Sequence, residues 1–313
     1  VGGGLLEADA QRKALQSLEQ EVSLLYKFSL IADISSAEGA ICGGEATILI
    51  DARPGDHTEV FQSISKSLDQ RQPGVLATFI GICSEEKISL TRYWIEIGEN
   101  FAVDSEAPYG KFHEEIKNSL IESKPNLLKA KGETSLFLEP IYPLPHLLIA
   151  GAGHIGQAVS HLGSLLDFEV TVIDDRPEFA NKEKLPEADS IIVDDIGKAM
   201  QAIPISSDTY IVIVTRGHKN DADALRQCID SEAAYIGMIG SARKIELMRE
   251  KFLQEGWATS TQWDRIHAPI GIDIQSKTVQ EIAVSIAAQL ILVRRQKQSN
   301  PGDGRLFRGG IVS

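Results

Sequence analysis

Positive charge is in short supply: 31 lysines and arginines stand against 44 aspartates and glutamates, a formal net charge of −13 over 313 residues. An acidic chain of this kind lacks the footprint of a DNA- or RNA-binding surface, so nucleic acid is not an expected partner. Long hydrophobic runs are also missing. No stretch approaches the ~20 apolar residues of a membrane helix, and Val1-Gly2-Gly3-Gly4 has neither the basic start nor the apolar core of a signal peptide. A cytoplasmic protein with no membrane partner is the expectation. Cysteine is scarce: Cys42, Cys83 and Cys228 are odd in number, far apart and without a C-x-x-C, which argues against a disulfide framework or a thiolate zinc site and for a reducing compartment. The histidines show no H-x-x-H or HExxH spacing, so zinc is not expected. An initiator methionine is absent as well. The chain opens inside a glycine run, and a natural segment before it is expected.

What remains is of ordinary globular composition, 43% hydrophobic and 24% charged, and longer than one hydrophobic core usually serves. Two domains are therefore expected. Between Gly4 and Leu25, apolar residues at Ala14, Leu15, Leu18, Val22 and Leu25 follow the spacing of one helical face. Short β-rich runs follow at Ile41–Ile50, Val75–Ile80 and Ile88–Ile97, bounded by Gly, Pro and Asp. The pattern then weakens to one helix near Lys111–Ile121 and a Pro140, Pro143, Pro145 series that predicts interrupted structure. Residues 1–142 read as a small α+β domain with its linker.

After Pro145 the grammar changes. Strand candidates at Leu147–Ala150, Glu169–Ile173, Ser190–Val193, Tyr210–Val214 and Ala234–Ile239 alternate with helix-like segments, the pattern of βαβ units. Residues 143–298 are thus expected to be an α/β, Rossmann-like doubly wound parallel-sheet domain, with strand order 3-2-1-4-5. A final helix is announced by Thr278 and Glu281 in a T-x-x-E capping box. Residues 299–313, with Asn300-Pro301-Gly302-Asp303-Gly304, read as a flexible tail.

Gly151-Ala152-Gly153-His154-Ile155-Gly156 is a G-x-G-x-x-G directly after the first of these strands, and Asp174 stands about 20 residues on, at the end of the second. Such glycines let a pyrophosphate approach backbone N–H groups at the positive end of a helix. The plainer alternative is that they serve only helix–sheet packing. Strands one and four are neighbours in the expected order, so Thr215-Arg216-Gly217-His218-Lys219 would face the glycine turn, with Gly240-Ser241-Ala242-Arg243-Lys244 beside it. Arg216, Lys219, Arg243 and Lys244 form a positive cluster in an acidic chain, which points to an anionic, phosphate-bearing ligand. Asp221 is expected to cap the helix after it, and His267 to be an ordinary half-buried imidazole. Cys42, beside Gly43-Gly44, is read either as a core thiol or as a thiolate contact for a metal.

These motifs, taken together, resemble the XdhC/CoxI accessory proteins of molybdenum hydroxylases. The likeness rests on Gly2-Gly3-Gly4-Leu5-Leu6-Glu7 and Cys42-Gly43-Gly44 in the first half. In the second it rests on Gly151-Ala152-Gly153-His154, Asp174-Asp175-Arg176, Thr215-Arg216-Gly217-His218, the run Tyr235–Lys244, Pro269–Ile274 and Glu281-Ile282-Ala283. The resemblance implies a chaperone with no turnover of its own. It would bind the molybdenum cofactor (molybdopterin or its dinucleotide), allow its sulfuration by a cysteine desulfurase, and deliver it to an apo molybdenum hydroxylase of the xanthine dehydrogenase type. Gly151, Gly153, His154 and Gly156 would then lie against phosphate, Asp174 on a hydroxyl, and Arg216, His218, Lys219, Ser241, Arg243 and Lys244 around the ligand's charge, with Cys42 as the metal contact. A homo-oligomer is compatible with this role. The rival reading is an NAD(P)-dependent oxidoreductase, or a nucleotide-sensing module, that uses the same crevice.

Overall fold

The computed structural model describes residues 5–30, 44–83, 87–96, 104, 106–129 and 134–299. Gly2–Gly4, Cys42, Gly43 and the tail from Asn300 lie outside these residues. The chain divides into two compact units, one reaching Pro143 and the other starting at Leu144.

The first unit contains α1 (Leu5–Gln20), β1 (Leu24–Leu30), β2 (Gly44–Ile50), α2 (Thr58–Asp69), β3 (Gly74–Ile82), β4 (Ile88–Glu96), α3 (His113–Glu122), β5 (Asn126–Lys129) and β6 (Thr134–Ile141). β1 and β2 pair as an antiparallel ribbon, and the other four strands form an antiparallel sheet in the order β4-β3-β6-β5. Directly paired residues share a face of the sheet. Thr78 therefore stands with Arg92 and Phe137 on one side, and Ala77 with Tyr93 and Leu138 on the other. On the first side the Trp94 indole donates to Ser67 of α2 at 2.8 Å, and Arg92 pairs with Asp51.

Three expectations are corrected in this unit. The amphipathic helix stops at Gln20 rather than Leu25: Glu21 takes a positive φ of 52°, Ser17 donates its hydroxyl to the Val22 carbonyl, and Leu25 belongs to β1. Its anticipated buried stripe is largely exposed, Leu15 by 65% and Leu18 by 53%. Pro140 does not interrupt regular structure, because it lies in β6 opposite Val75 and past the end of β5, where a missing N–H removes no ladder bond on that side.

The second unit is a five-stranded parallel sheet in the order β11-β10-β7-β8-β9. Its members are β7 (His146–Ala150), β8 (Glu169–Asp174), β9 (Ser190–Val193), β10 (Thr209–Ile213) and β11 (Tyr235–Met238). Numbered within the unit this is 3-2-1-4-5, the doubly wound order expected from the sequence. The strands read as unbroken apolar runs because both faces are covered. Leu147 and Ile149 of β7 join Tyr210 and Val212 of β10 in one core, with Val159 of α4 (His154–Leu165) and Ile286 of α9 (Val279–Ser299). Leu148, Ala150, Ile211 and Ile213 enter the opposite core. There they meet Met200 of α5 (Ile196–Ala202), Leu225 of α6 (His218–Cys228), Phe252 of α7 (Ala242–Gln254) and Trp263 of α8 (Ser260–Asp264).

The capping box of α9 forms as expected: Thr278 N–H donates to Glu281 at 2.8 Å, and Glu281 N–H to the Thr278 hydroxyl at 3.2 Å. The connection from β8 to β9 departs from expectation, since residues 175–189 are turns and carry no helix. α9 also runs on to Ser299, so Ser299 belongs to it rather than to a tail. Among the described residues no helix is long and apolar enough to cross a membrane.

Candidate functional site

The parallel strands end together at one edge of the sheet, and the loops after β7, β10 and β11 lie side by side there because those strands are neighbours. The glycine turn sits directly against the β10 loop. Gly151 has φ +115°, a conformation that disfavours any side chain, and a Cβ on it would meet the Val214 carbonyl oxygen at 2.5 Å. At Gly156 the obstacle is the Gly151 carbonyl oxygen, only 1.9 Å from a Cβ, so α4 can approach the turn only through a glycine. These two glycines are required by the fold.

Gly153 is different. Its φ of −66° suits any residue, and a Cβ there would meet nothing within 4 Å. It is also the N-cap of α4, with no side chain accepting from the first N–H groups of the helix, and His154 follows it on the exposed side. Neither backbone nor packing explains a glycine at this position. The open side of Gly153 and the unpaired helix N–H groups form a cradle of the kind that accepts phosphate.

Asp174, at the end of β8, is 2% exposed, and its carboxylate is fully engaged. One oxygen accepts from Ala152 N–H at 2.7 Å and from the Arg176 guanidinium at 2.9 Å. The other accepts from Arg176 Nε at 2.8 Å and from Arg176 N–H at 3.1 Å. Burial pushes this carboxyl up, but the hydrogen bonds from Arg176 and Ala152 outweigh it and hold the group below its ordinary value. Arg176 in turn covers the Phe179 ring at 4.1 Å. A ribose diol reaching Asp174 would have to displace this arginine.

In the β10 and β11 loops, Gly217 (φ +101°) is the N-cap of α6, and Asp221 is the fourth residue of that helix. This corrects the expectation that Asp221 is a cap. Its carboxylate has no exposure; it accepts from the Thr215 hydroxyl at 2.7 Å and pairs with the Lys244 ammonium, which also donates to the Ile239 carbonyl at 3.2 Å. Lys244 thus spends its charge inside the protein, tying the β10 loop to the β11 loop. Ser241 caps α7 by accepting from Lys244 N–H at 3.3 Å. Arg216, Lys219 and Arg243 are exposed at this same end, and His218 opens α6.

Cys42 lies outside the described residues. Among those that are described, no group of three His, Cys, Asp or Glu residues is placed to hold a metal. Burial raises the Cys228 thiol to about 12, which leaves it without a reactive thiolate, and lowers His267 below its ordinary value. Sequence reasoning undervalued Arg176, whose position two residues after the strand-end acid was the available signal. It also missed the Asp221–Lys244 pair, whose partners stand 23 residues apart.

Fold and site together define the second unit as a Rossmann-type domain with an open glycine turn at the carboxyl end of its sheet. Residues 147–290 match the model of the XdhC Rossmann domain. The chain is 23% identical to a probable xanthine dehydrogenase subunit of Bacillus subtilis, over 95% of its own length and 84% of that protein's. It is 30% identical to the uncharacterized protein YqeB of Escherichia coli K12, over 61% of this chain and only 37% of the relative, so it spans well under half of that protein. A further stretch, 34% of this chain and 33% of the relative, is 24% identical to the Escherichia coli molybdenum cofactor insertion chaperone PaoD. The fold extends over 97% of this chain and 84% of a Bacillus halodurans protein whose crystal structure is described as a xanthine dehydrogenase, with a TM-score of 0.72 at 24% identity.

Proposed function

We propose that this chain binds the molybdenum cofactor through its glycine-turn cradle and acts as an accessory protein that delivers it to a molybdenum hydroxylase of the xanthine dehydrogenase type. The observation that carries the reading is Gly153, a glycine that the fold does not need, with open space beside it at the N-terminus of α4, the kind of turn that accepts phosphate. Molybdopterin ends in a phosphate and its dinucleotide form contains a pyrophosphate; either suits the cradle. The names of the relatives support the cargo: one is a molybdenum cofactor insertion chaperone and another a probable xanthine dehydrogenase subunit. Arg216 and Arg243 supply exposed positive charge at the same edge. In this reading the cofactor is held as cargo, sulfurated by a cysteine desulfurase while bound, and passed on without turnover.

The NAD(P)-dependent rival is disfavoured by one feature. The carboxylate that would read a ribose is closed by Arg176 and by the glycine turn itself. The test is anaerobic equilibrium binding of released molybdenum cofactor to the purified protein, with NAD(H) and NADP(H) as competitors. Saturable binding, undisturbed by nicotinamide nucleotides, is expected. Gly153→Val fills the cradle and abolishes this binding, while costing the fold about 1 kcal/mol at most through a poorer cap. If the valine variant still binds the cofactor, or only a nicotinamide nucleotide binds to the wild type, the reading fails.

A further inference from the structure

A cavity lies in the Rossmann unit beside α6 and α7. It is a groove of about 420 Å³ lined by residues of α6 and α7 and by Trp257, and none of the glycine-turn residues lines it. That volume falls within the range of small-molecule sites. Its wall is mostly apolar: Ala222 from α6, Leu247 and Met248 from α7, and the Trp257 ring. Leu247 is 59% exposed along it, while Met248 below is 7% exposed and anchored in the core. The aromatic wall is held firmly. Phe252 meets Trp257 edge to face at 5.3 Å, and the Arg226 guanidinium lies over the indole at 4.1 Å.

Around this apolar wall stand three cations, Lys219, Lys244 and Lys251, against one acid, Asp223. Lys244 turns its ammonium to Asp221 and lends the groove its aliphatic stem. Lys219 is exposed at the α6 side, and Lys251 sits 5.2 Å from the Trp257 ring centroid. In a chain with a net charge of −13, a groove whose rim is positive selects by sign as well as by shape. An indole wall beside a flexible leucine suits a flat, apolar body, and the two lysines suit one negative group attached to it.

We propose that the α6–α7 groove is a second ligand site, taking a small organic anion with a planar apolar body, bound by Trp257 and Leu247 and oriented by Lys219 and Lys251. The site is separate from the glycine-turn cradle and does not depend on it. Notably, Lys219 and Lys244, expected from sequence to surround a phosphate at the crevice, here line a different cavity.

The experiment uses 8-anilinonaphthalene-1-sulfonate as the probe and the whole protein as the target, with N-phenyl-1-naphthylamine as the uncharged counterpart. One saturable site with enhanced dye emission is expected. The double variant Lys219→Glu, Lys251→Glu weakens sulfonate binding about tenfold or more, equivalent to ~1.4 kcal/mol, and leaves the neutral dye unaffected. Leu247→Glu, at an exposed position, removes both. Gly153→Val retains sulfonate binding in full, which keeps this result apart from that of the cradle. Excess 2-naphthoate displaces the dye. Unchanged binding in the lysine variant, equal affinity for the neutral dye, or loss of the site in Gly153→Val would each overturn the proposal. So would displacement by a poly-glutamate peptide but not by 2-naphthoate, which would make the groove a docking site for an acidic protein segment.

Discussion

The two units bury their charge in different places. In the first, Arg92 rises from the middle of a strand and meets Asp51 on the flank of the antiparallel sheet, with side chains 8% and 13% exposed. In the second, Asp174–Arg176 and Asp221–Lys244 both stand where parallel strands end. A pair on a sheet flank ties one element to another. The pairs at the strand ends hold loops, and in doing so they shape the edge at which α/β sheets bind ligands. The same chemistry is structural in one unit and preparatory in the other.

Removing one partner of each pair should expose this difference. Lys244→Ala strands the unexposed Asp221 carboxylate between two loops, and the loss is expected to reach about 3–5 kcal/mol, the usual cost of an uncompensated buried charge. Denaturant titration in a Trp94→Phe background follows the second unit alone, since the other two tryptophans lie there. Asp51→Ala leaves Arg92 closer to solvent, and a smaller loss of about 2 kcal/mol is expected, read through Trp94. Equal losses in the two units would break the comparison.

Arg176→Ala sharpens it further, because the effect should fall on binding more than on stability. The variant removes both guanidinium bonds and leaves one oxygen of Asp174 held by Ala152 N–H and the other by the backbone N–H of residue 176. A ribose hydroxyl can then reach the acid, so NADH affinity is expected to rise about tenfold over the wild type by equilibrium fluorescence. An unchanged affinity would show that Arg176 is not what closes the carboxylate to ribose.

Legibility in the sequence follows the same division. The parallel strands were visible because burial on both faces writes each as a continuous apolar word, and their order is the usual one of the doubly wound fold that the glycine turn indicates. The antiparallel unit was harder to read. β6 pairs with β3 across more than fifty residues of chain, and its run is broken by Glu139 and Pro140, which local periodicity reads as an ending. α2 was missed although Phe61, Ile64 and Leu68 keep helical spacing, because the Pro54-Gly55-Asp56 turn before it resembles a loop. At the site, residue types were legible and pairings were not. Nothing in the order of residues says that Lys244 reaches Asp221, or that of three glycines only Gly153 faces open space.

The smallest expected effect is on acid stability, and it tests whether the two units share one chemistry after all. In both Asp51 and Asp174 burial raises the carboxyl, and hydrogen bonds from the paired arginine and from backbone N–H groups lower it by more. Each folded-state value therefore lies below the unfolded one. Such a group binds fewer protons when folded, so its stabilisation is fully present above the ordinary carboxylate value near ~3.9 and fades as pH falls through the lowered folded value. Unfolding followed between pH 6 and about pH 3 should show stability declining in both units. Asp174→Asn should flatten the acid slope of the second unit, and Asp51→Asn that of the first, each without touching the other. If Asp174→Asn leaves the second unit's slope intact, the carboxylate held by Arg176 is not ionised in the way its hydrogen bonds require, and the closed ribose site loses its electrostatic basis.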